Sequence, residues 1–164
     1  MSPAIVALLI CVGAAVLEGA LAGRGIRARF AVLRQPRFSP PLSVWFALGG
    51  AFYLICFALL YRLLTSGFPT ATHRAAFILV LALMVANGAW GLLFFRRKDL
   101  RASFLAFVPY GLVAFALVLL LARIDRTSAL LLMPYLAYFP YALWWFYRLW
   151  ALNRSIAASG ITSG

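Results

Sequence analysis

Five long apolar segments follow one another along the chain, and this pattern constrains its fold more than any other feature. Each segment has about twenty residues, enough to span the ~30 Å hydrocarbon core of a bilayer at 1.5 Å per residue. The chain is 66% hydrophobic, a share that a soluble domain of 164 residues cannot bury. The sequence therefore predicts an all-α integral membrane protein, with five transmembrane helices near residues 3–23, 42–64, 75–95, 103–122 and 129–150.

These segments are expected to form a single membrane domain, residues 1–154, followed by a short flexible tail, residues 155–164. The Ala-Leu-Ala at residues 20–22 resembles a signal-peptide cleavage site. The first segment has no basic region at its start, however, and Glu18 interrupts it just before that site. We therefore interpret the segment as a retained transmembrane helix.

The basic residues lie in the short connections and near the segment ends, eleven on one predicted side of the membrane and four on the other. Because cytoplasmic loops carry the excess of Lys and Arg, this asymmetry predicts an outside N-terminus and a cytoplasmic C-terminus in a bacterial inner membrane. A net charge of +12 indicates nucleic-acid binding in a soluble protein. Here topology and anionic lipid headgroups explain the charge. The expected partner is therefore a lipid bilayer, and binding to nucleic acid is not expected.

The chain offers little for metal chemistry. Its two cysteines lie in different apolar segments, and its one histidine, His73, lies in the second connection, to which we assign no role. Metal sites need clusters of such ligands, so neither a metal nor another cofactor is expected.

The last apolar segment, residues 130–153, carries more Tyr and Trp than a lipid anchor needs. At helical spacing, one of its faces presents Tyr138, Tyr141, Ala142 and Trp145. Each ring alone is also typical of the interfacial aromatic belt of a membrane helix. For the face as a whole we predict the wall of a ligand pocket. Prolines at positions 109, 134 and 140 are expected to kink the last two segments and leave room for that pocket.

Small residues recur at four-residue spacing in the first segment, at Ala15, Gly19 and Gly23. Such a stripe lets another helix approach closely. It predicts either a contact within the bundle or the interface of a homodimer.

Glu18 is an acidic residue within an apolar segment. A carboxylate at mid-membrane costs about 2.5–3.5 kcal/mol on insertion scales, so its presence requires a reason. It could pair with Arg24 or Arg27 at the interface, or form a dimer contact. We favour a third interpretation, in which Glu18 points into the pocket as a partly protonated acid. The other acids, Asp99 and Asp125, lie among arginines in loops, where solvated surface ion pairs are expected.

Alternating topology brings residues of the other segments to the depth of Glu18. They lie about one to three helical turns from the first connection. Two of these residues have an alternative role outside a pocket: Asn87 could form a helix–helix hydrogen bond, and Trp90 could be a packing residue. The predicted pocket residues are Ala22, Trp45, Asn87, Trp90, Phe107, Tyr110, Tyr138, Tyr141, Ala142 and Trp145.

Three motifs, in order along the chain, resemble those of the translocator protein or tryptophan-rich sensory protein family, TspO. Residues 33–53 resemble its L-x-x-P-x-W-x-P-P…Y, with Phe38 at the tryptophan position. Residues 87–95 resemble N-x-x-W…F-F, and residues 134–153 resemble P-Y-L-A-W…N-Y…W-x-x-N.

The resemblance implies a five-helix bundle, often dimeric, whose pocket opens toward the first connection. It also implies binding of porphyrins, haem-related tetrapyrroles, sterols and drug-like aromatics. The sequence gains Trp45, Trp145 and Glu18 relative to the family pattern. It also departs from that pattern at five positions. The family has tryptophan where this chain has Ser43 and Gly49, and it has glutamine, aspartate and asparagine where this chain has Leu83, Ala106 and Phe146.

The function that we favour from the sequence is a metal-independent, membrane-embedded terpene cyclase. Glu18 would protonate an alkene or epoxide of an isoprenoid, and aromatic faces would stabilise the carbocation by cation–π attraction of about 2 kcal/mol. This resembles, in chemistry, the small integral-membrane terpene cyclases. Four arginines of the first connection are predicted to hold an anionic head group: Arg24, Arg27, Arg34 and Arg37.

Two alternatives stay open. The first is a non-catalytic sensor or carrier that binds a tetrapyrrole or sterol, as the family resemblance implies. The second is an assembly subunit of a larger membrane complex, which would pack through the small-residue stripe and the Trp-rich last helix.

Overall fold

The computed structural model describes residues 1–154, and in this part of the chain every regular element is helical. Five of the helices are long and apolar enough to cross a membrane, with mean hydropathies of 1.3 to 2.5. This confirms the predicted five-helix membrane bundle. The predicted tail, residues 155–164, lies outside the described residues. The helices are α1 (Pro3–Ala22), α2 (Ile26–Val32), α3 (Leu42–Thr65), α4 (Ala71–Gly91), α5 (Leu100–Ile124) and α6 (Arg126–Leu152).

Two features differ from the expected pattern. The first connection contains α2, a seven-residue helix that the apolar segments did not predict. In addition, α4 passes into a π-helical turn, Leu92–Arg96, in which the backbone N–H of Arg97 donates to the carbonyl of Leu92 at 2.9 Å. Such a wider turn changes the direction of the side chains that follow it. It places Phe94 in the buried core and Phe95 beside the cavity described below.

The last three long helices are each capped by a polar side chain. Each helix begins three to four residues before the start that was predicted from the apolar segment. Thr70, Asp99 and Asp125 each accept a hydrogen bond from a backbone N–H in the first turn of the helix that follows. Hydropathy misses such a start because the capping residues are polar. The expected surface ion pair of Asp99 is wrong for the described residues, in which Asp99 is an N-cap without a cationic partner.

Asp125 does form the expected surface ion pair. Its carboxylate receives hydrogen bonds from both Nε (2.6 Å) and Nη2 (2.9 Å) of Arg62 on α3. The same carboxylate caps α6 and accepts a hydrogen bond from the hydroxyl of Ser128. The Arg62 guanidinium holds the pKa of Asp125 well below its usual range. This cluster joins α3 to the α5–α6 connection at the end of the bundle opposite to α2.

At the other end of the bundle, the first connection is tied to two distant parts of the chain. The side chain of Asn153, just after α6, accepts a hydrogen bond from the backbone N–H of Arg34 (3.0 Å) and donates one to its carbonyl (3.1 Å). Nη2 of Arg29 donates to the carbonyl of Lys98 at 2.9 Å. The first connection, the α4–α5 connection and the C-terminal end of α6 therefore meet at one end, which carries the eleven basic residues.

Two side chains of α6 complete this end. The hydroxyl of Tyr141 donates to the carbonyl of Phe38 at 2.7 Å, and the indole N–H of Trp145 donates to the hydroxyl of Ser39 at 2.9 Å. The helix α2 and the segment after it are thus held over the end of the bundle.

Candidate functional site

A cavity of about 370 Å³ lies inside the bundle, beneath α2. Every helix contributes to its wall, which is mainly aromatic and aliphatic. Eight of the side chains predicted from the sequence line it: Glu18, Ala22, Trp45, Asn87, Trp90, Phe107, Tyr138 and Trp145.

Glu18 is held at this wall by two neighbouring helices. Its Oε2 accepts a hydrogen bond from the hydroxyl of Tyr53 on α3 at 2.6 Å and another from Nδ2 of Asn87 on α4 at 2.7 Å. Pairing with Arg24 or Arg27 is wrong for the described residues, in which neither arginine lies within ion-pair distance of Glu18. The carboxylate instead joins three membrane-spanning helices by their side chains.

Two glycines of α4 lie directly against Glu18. A Cβ atom at Gly88 would lie 3.9 Å from Cα of Glu18, and one at Gly91 would lie 3.9 Å from its Cγ. Larger side chains at these positions would push α1 away from α4. At this close contact of α1 and α4, Asn87 both forms a helix–helix hydrogen bond and lines the cavity.

The aromatic part of the wall comes mainly from α3, α4 and α6. The ring of Trp45 lies 4.5 Å from that of Trp145 and 6.3 Å from that of Tyr138, measured between centroids. Trp90 and Phe107 each contact Phe146, at 5.0 and 4.8 Å. Such packing fixes the rings, so this part of the wall consists of ordered aromatic surfaces.

Two indole N–H groups in this wall lack partners. Nε1 of Trp45 and Nε1 of Trp90 are buried and have no hydrogen-bond acceptor among residues 1–154. Buried indole N–H groups usually find an acceptor, and leaving one unsatisfied costs about 1–3 kcal/mol. Both N–H groups are therefore unsatisfied within residues 1–154.

Three predicted pocket residues are not part of the wall, and their assignment is corrected. Tyr110 is buried between α5 and α6, where its hydroxyl bonds that of Tyr135. Tyr141 turns toward the first connection. Ala142 is fully buried and does not line the cavity.

The four arginines predicted to hold an anionic head group are all exposed, and none lines the cavity. They form a basic rim around the covered end. Arg29 is different, because it is partly buried and its Nε has no acceptor among the described residues. Burial lowers the pKa of Arg29.

Sequence reasoning missed several wall residues, notably Tyr53, Ile26 and Phe30. Ile26 and Phe30 are four residues apart, so they share one face of α2. That spacing could have revealed a short helix with an apolar face toward the bundle. Tyr53 could have been found because it lies at the depth of Glu18 and its hydroxyl can donate a hydrogen bond to a carboxylate.

His73 lies at the opposite end of the bundle, away from this cavity. Its Nδ1 is 2.8 Å from the hydroxyl of Thr70, next to the start of α4. It borders an open surface depression together with Tyr61, Arg62 and Asp125.

An aromatic cavity within five membrane-spanning helices defines a multi-pass membrane protein with an intramembrane cavity. The sequence profile of the TspO/MBR family matches residues 6–151, and the chain belongs to this family. The resemblance seen in the three motifs is thereby confirmed. No curated protein matches the sequence significantly.

Proposed function

We propose that this TspO/MBR-family protein binds a hydrophobic molecule, an isoprenoid, sterol or tetrapyrrole, through a hydroxyl or N–H group that donates to Glu18. One observation carries the proposal: a carboxylate fixed by Tyr53 and Asn87 lies at the wall of an aromatic cavity. Ligand sites are typically apolar cavities with a few well-placed polar groups.

The polar groups define what the ligand must offer. Both hydrogen bonds within the protein reach Oε2 of Glu18, while a carboxylate has acceptor sites on two oxygens. A ligand hydroxyl or N–H would use the remaining capacity, and such charge-assisted bonds are worth about 1.5–3 kcal/mol.

Binding is tested with purified protein in nanodiscs, titrated with protoporphyrin IX by absorbance and with dehydroergosterol by energy transfer from tryptophan. We expect saturable binding of at least one probe. Glu18→Gln should weaken binding about tenfold or more, as expected from the loss of about 1.4 kcal/mol or more. The matched control is Asp99→Asn, which makes the same carboxylate-to-amide change outside the cavity and should leave affinity unchanged. Flat titrations with both probes would overturn the proposal.

A second candidate function is the acid-initiated cyclase, because the carboxyl group of Glu18 and the rings of Trp45 and Trp145 face one cavity. In this reaction the Glu18 carboxylic acid transfers its proton to an alkene carbon or epoxide oxygen. The resulting carbocation closes a ring with a second double bond, and loss of a C–H proton returns the acid. The substrate is isomerised, so its mass does not change, while the aromatic faces stabilise the cationic intermediates.

The two candidates are separated by mass spectrometry of lipid extracts from cells that are supplied with prenylated precursors. A cyclase should produce a species of unchanged mass and altered retention in the wild type and in Asp99→Asn. That species should be absent in Glu18→Gln. If no such species forms, the cyclase is excluded for these precursors and binding is left as the function.

We also propose that the basic end of the bundle faces the cytoplasm of a bacterial inner membrane. The location of eleven of the fifteen basic residues at one end supports this orientation. Single cysteines placed at exposed positions in a variant without Cys11 and Cys56 should react from outside at Arg74, but not at Arg37. The reverse labelling pattern would contradict the orientation.

A further inference from the structure

We propose that ligands reach the cavity sideways from the bilayer, through an opening between α1 and α3, and not through the end covered by α2. The inference rests on the proposed binding function and names the class of ligand: an amphiphile already dissolved in the membrane. The opening is formed by Ala15 and Gly19 on α1 and by Phe46 and Gly50 on α3, and we call it the lateral opening.

The residues of the lateral opening belong to both the cavity and the outer surface. All four line the cavity, and all four are exposed. A Cβ atom added at Gly19 or at Gly50 would meet no other atom within 4 Å. The neighbouring side chains Val16 and Leu54 are 67% and 71% exposed, which marks this surface as the lipid-facing side of the bundle. The wall is therefore thin and unfilled where α1 and α3 face lipid.

The depth of the lateral opening fits entry from acyl chains. Gly19 lies three residues and Ala15 seven residues before the end of α1, which is about 4–11 Å along the helix axis. Phe46 and Gly50 lie about 6 and 12 Å from the start of α3. Since the hydrocarbon core is about 30 Å thick, the opening lies in the leaflet on the α2 side.

The covered end offers a less favourable route. Four sets of hydrogen bonds fasten the first connection to the rest of the bundle, through Arg29, Arg34, Phe38 and Ser39. Beneath them, Ile26 and Phe30 of α2 face the cavity. Entry from this end would break several of these contacts, whereas entry between α1 and α3 breaks none of them.

The chemistry of the lateral opening selects the ligand. Its four residues are apolar, so the part of the ligand that passes first must be hydrophobic. Glu18 lies only four residues, about 6 Å, from the end of α1, close to the head-group region. A membrane alcohol of the sterol or polyprenol type can keep its hydroxyl at this depth and slide its apolar body between the helices. Its hydroxyl would then meet the carboxylate.

The predicted homodimer competes with this role. Its stripe of Ala15, Gly19 and Gly23 shares two residues with the lateral opening, so a second copy packed there would cover the opening. We assign this surface to lipid, and the oligomeric state in nanodiscs is therefore part of the test.

The experiment compares two double variants in liposomes, with dehydroergosterol delivered from cyclodextrin. Gly19→Leu/Gly50→Leu places side chains in the lateral opening. Ala20→Leu/Ala51→Leu places the same side chains on adjacent exposed positions that do not line the cavity. Stopped-flow energy transfer from tryptophan reports arrival at the site, after correction for sterol insertion into liposomes without protein. Leucine leaves the number of tryptophans unchanged.

We expect the first variant to slow both association and release at least tenfold, and the second to behave as wild type. Unchanged rates in the first variant would overturn the lateral opening. So would a weaker Kd with an unchanged association rate, because the leucines would then act on the site itself. Absence of saturable binding in the wild type would instead remove the proposed binding function.

Two further measurements address the alternatives. Asn153→Ala loosens the first connection and should not change the association rate. Faster association in that variant would assign entry to the covered end and overturn the proposal. Native mass spectrometry of nanodiscs tests whether a dimer covers the lateral opening. A wild-type dimer that dissociates in Gly19→Leu/Gly50→Leu is not expected, and its presence would also overturn the proposal.

Discussion

The hydroxyl of Tyr53 on α3 donates a hydrogen bond to the carboxylate of Glu18 on α1, with 2.6 Å between the oxygens. This contact turns an acid in the first membrane span away from lipid and fixes it at the wall of the cavity. An intramembrane acid is otherwise unfavourable, so the partners that satisfy it are expected to support both folding and ligand binding.

Tyr53→Phe should lower the free energy of unfolding by about 1–3 kcal/mol, because it removes one of the two hydrogen bonds that satisfy the Glu18 carboxyl group. It should also weaken ligand binding, since Asn87 alone then orients Glu18. Unfolding by sodium dodecyl sulfate in mixed micelles measures the first effect. The matched control is Tyr61→Phe on the same helix, an exposed tyrosine whose hydroxyl has no partner among the described residues. Equal losses in the two variants would contradict a specific role for the Tyr53 hydroxyl.

Asn153→Ala should release the first connection. The substitution removes three hydrogen bonds, two to the backbone of Arg34 and one to the carbonyl of Leu149. Trypsin should then cleave after Arg34 and Arg37 several times faster. Gln35→Ala is the control, because Gln35 bonds only within the connection. If both variants are cleaved at the wild-type rate, Asn153 does not hold this segment.

Gly111→Ala should destabilise the contact between α5 and α6. A Cβ atom at this position would overlap the ring of Phe139, which stacks on Phe107 with 4.4 Å between centroids. Overpacking of this kind costs about 1–3 kcal/mol, and thermal unfolding in detergent measures it. Gly13→Ala is the control, since its Cβ would meet nothing within 4 Å and alanine is the better helix former. A Gly111→Ala protein as stable as wild type would show that Phe139 can move aside freely.

The Asp125–Arg62 ion pair predicts a dependence of stability on pH. Because the pair lowers the pKa of Asp125 in the folded state, its stabilising contribution is complete above the ordinary aspartate range, near pH 4. That contribution is lost as the pH falls further, through the folded-state pKa. Asp125→Asn should therefore flatten the fall in melting temperature in acid, whereas Asp99→Asn should keep the wild-type slope. The same slope in all three proteins would exclude Asp125 as its source.

The five spans could be predicted from the sequence because the bilayer itself sets their length and apolar content. The seven-residue helix α2 could not, since a helix this short depends on packing, and its contacts with the π-helical turn and α6 are distant in sequence. The position of Glu18 at the cavity could be predicted because a carboxyl group within the membrane requires polar hydrogen-bond partners. Tyr110 and Tyr141 were misplaced because helical spacing defines a face without defining which neighbour that face meets.

The central claim, that a hydrophobic ligand lies beside Glu18, is tested most directly by photolabelling in membranes with a sterol that carries a diazirine. Alkyl diazirines react readily with carboxylates, so adducts can be assigned by peptide mass spectrometry. We predict adducts on Glu18 or Tyr53 that excess unlabelled sterol removes. Competed adducts found only on outward-facing side chains such as Leu54 would contradict the claim.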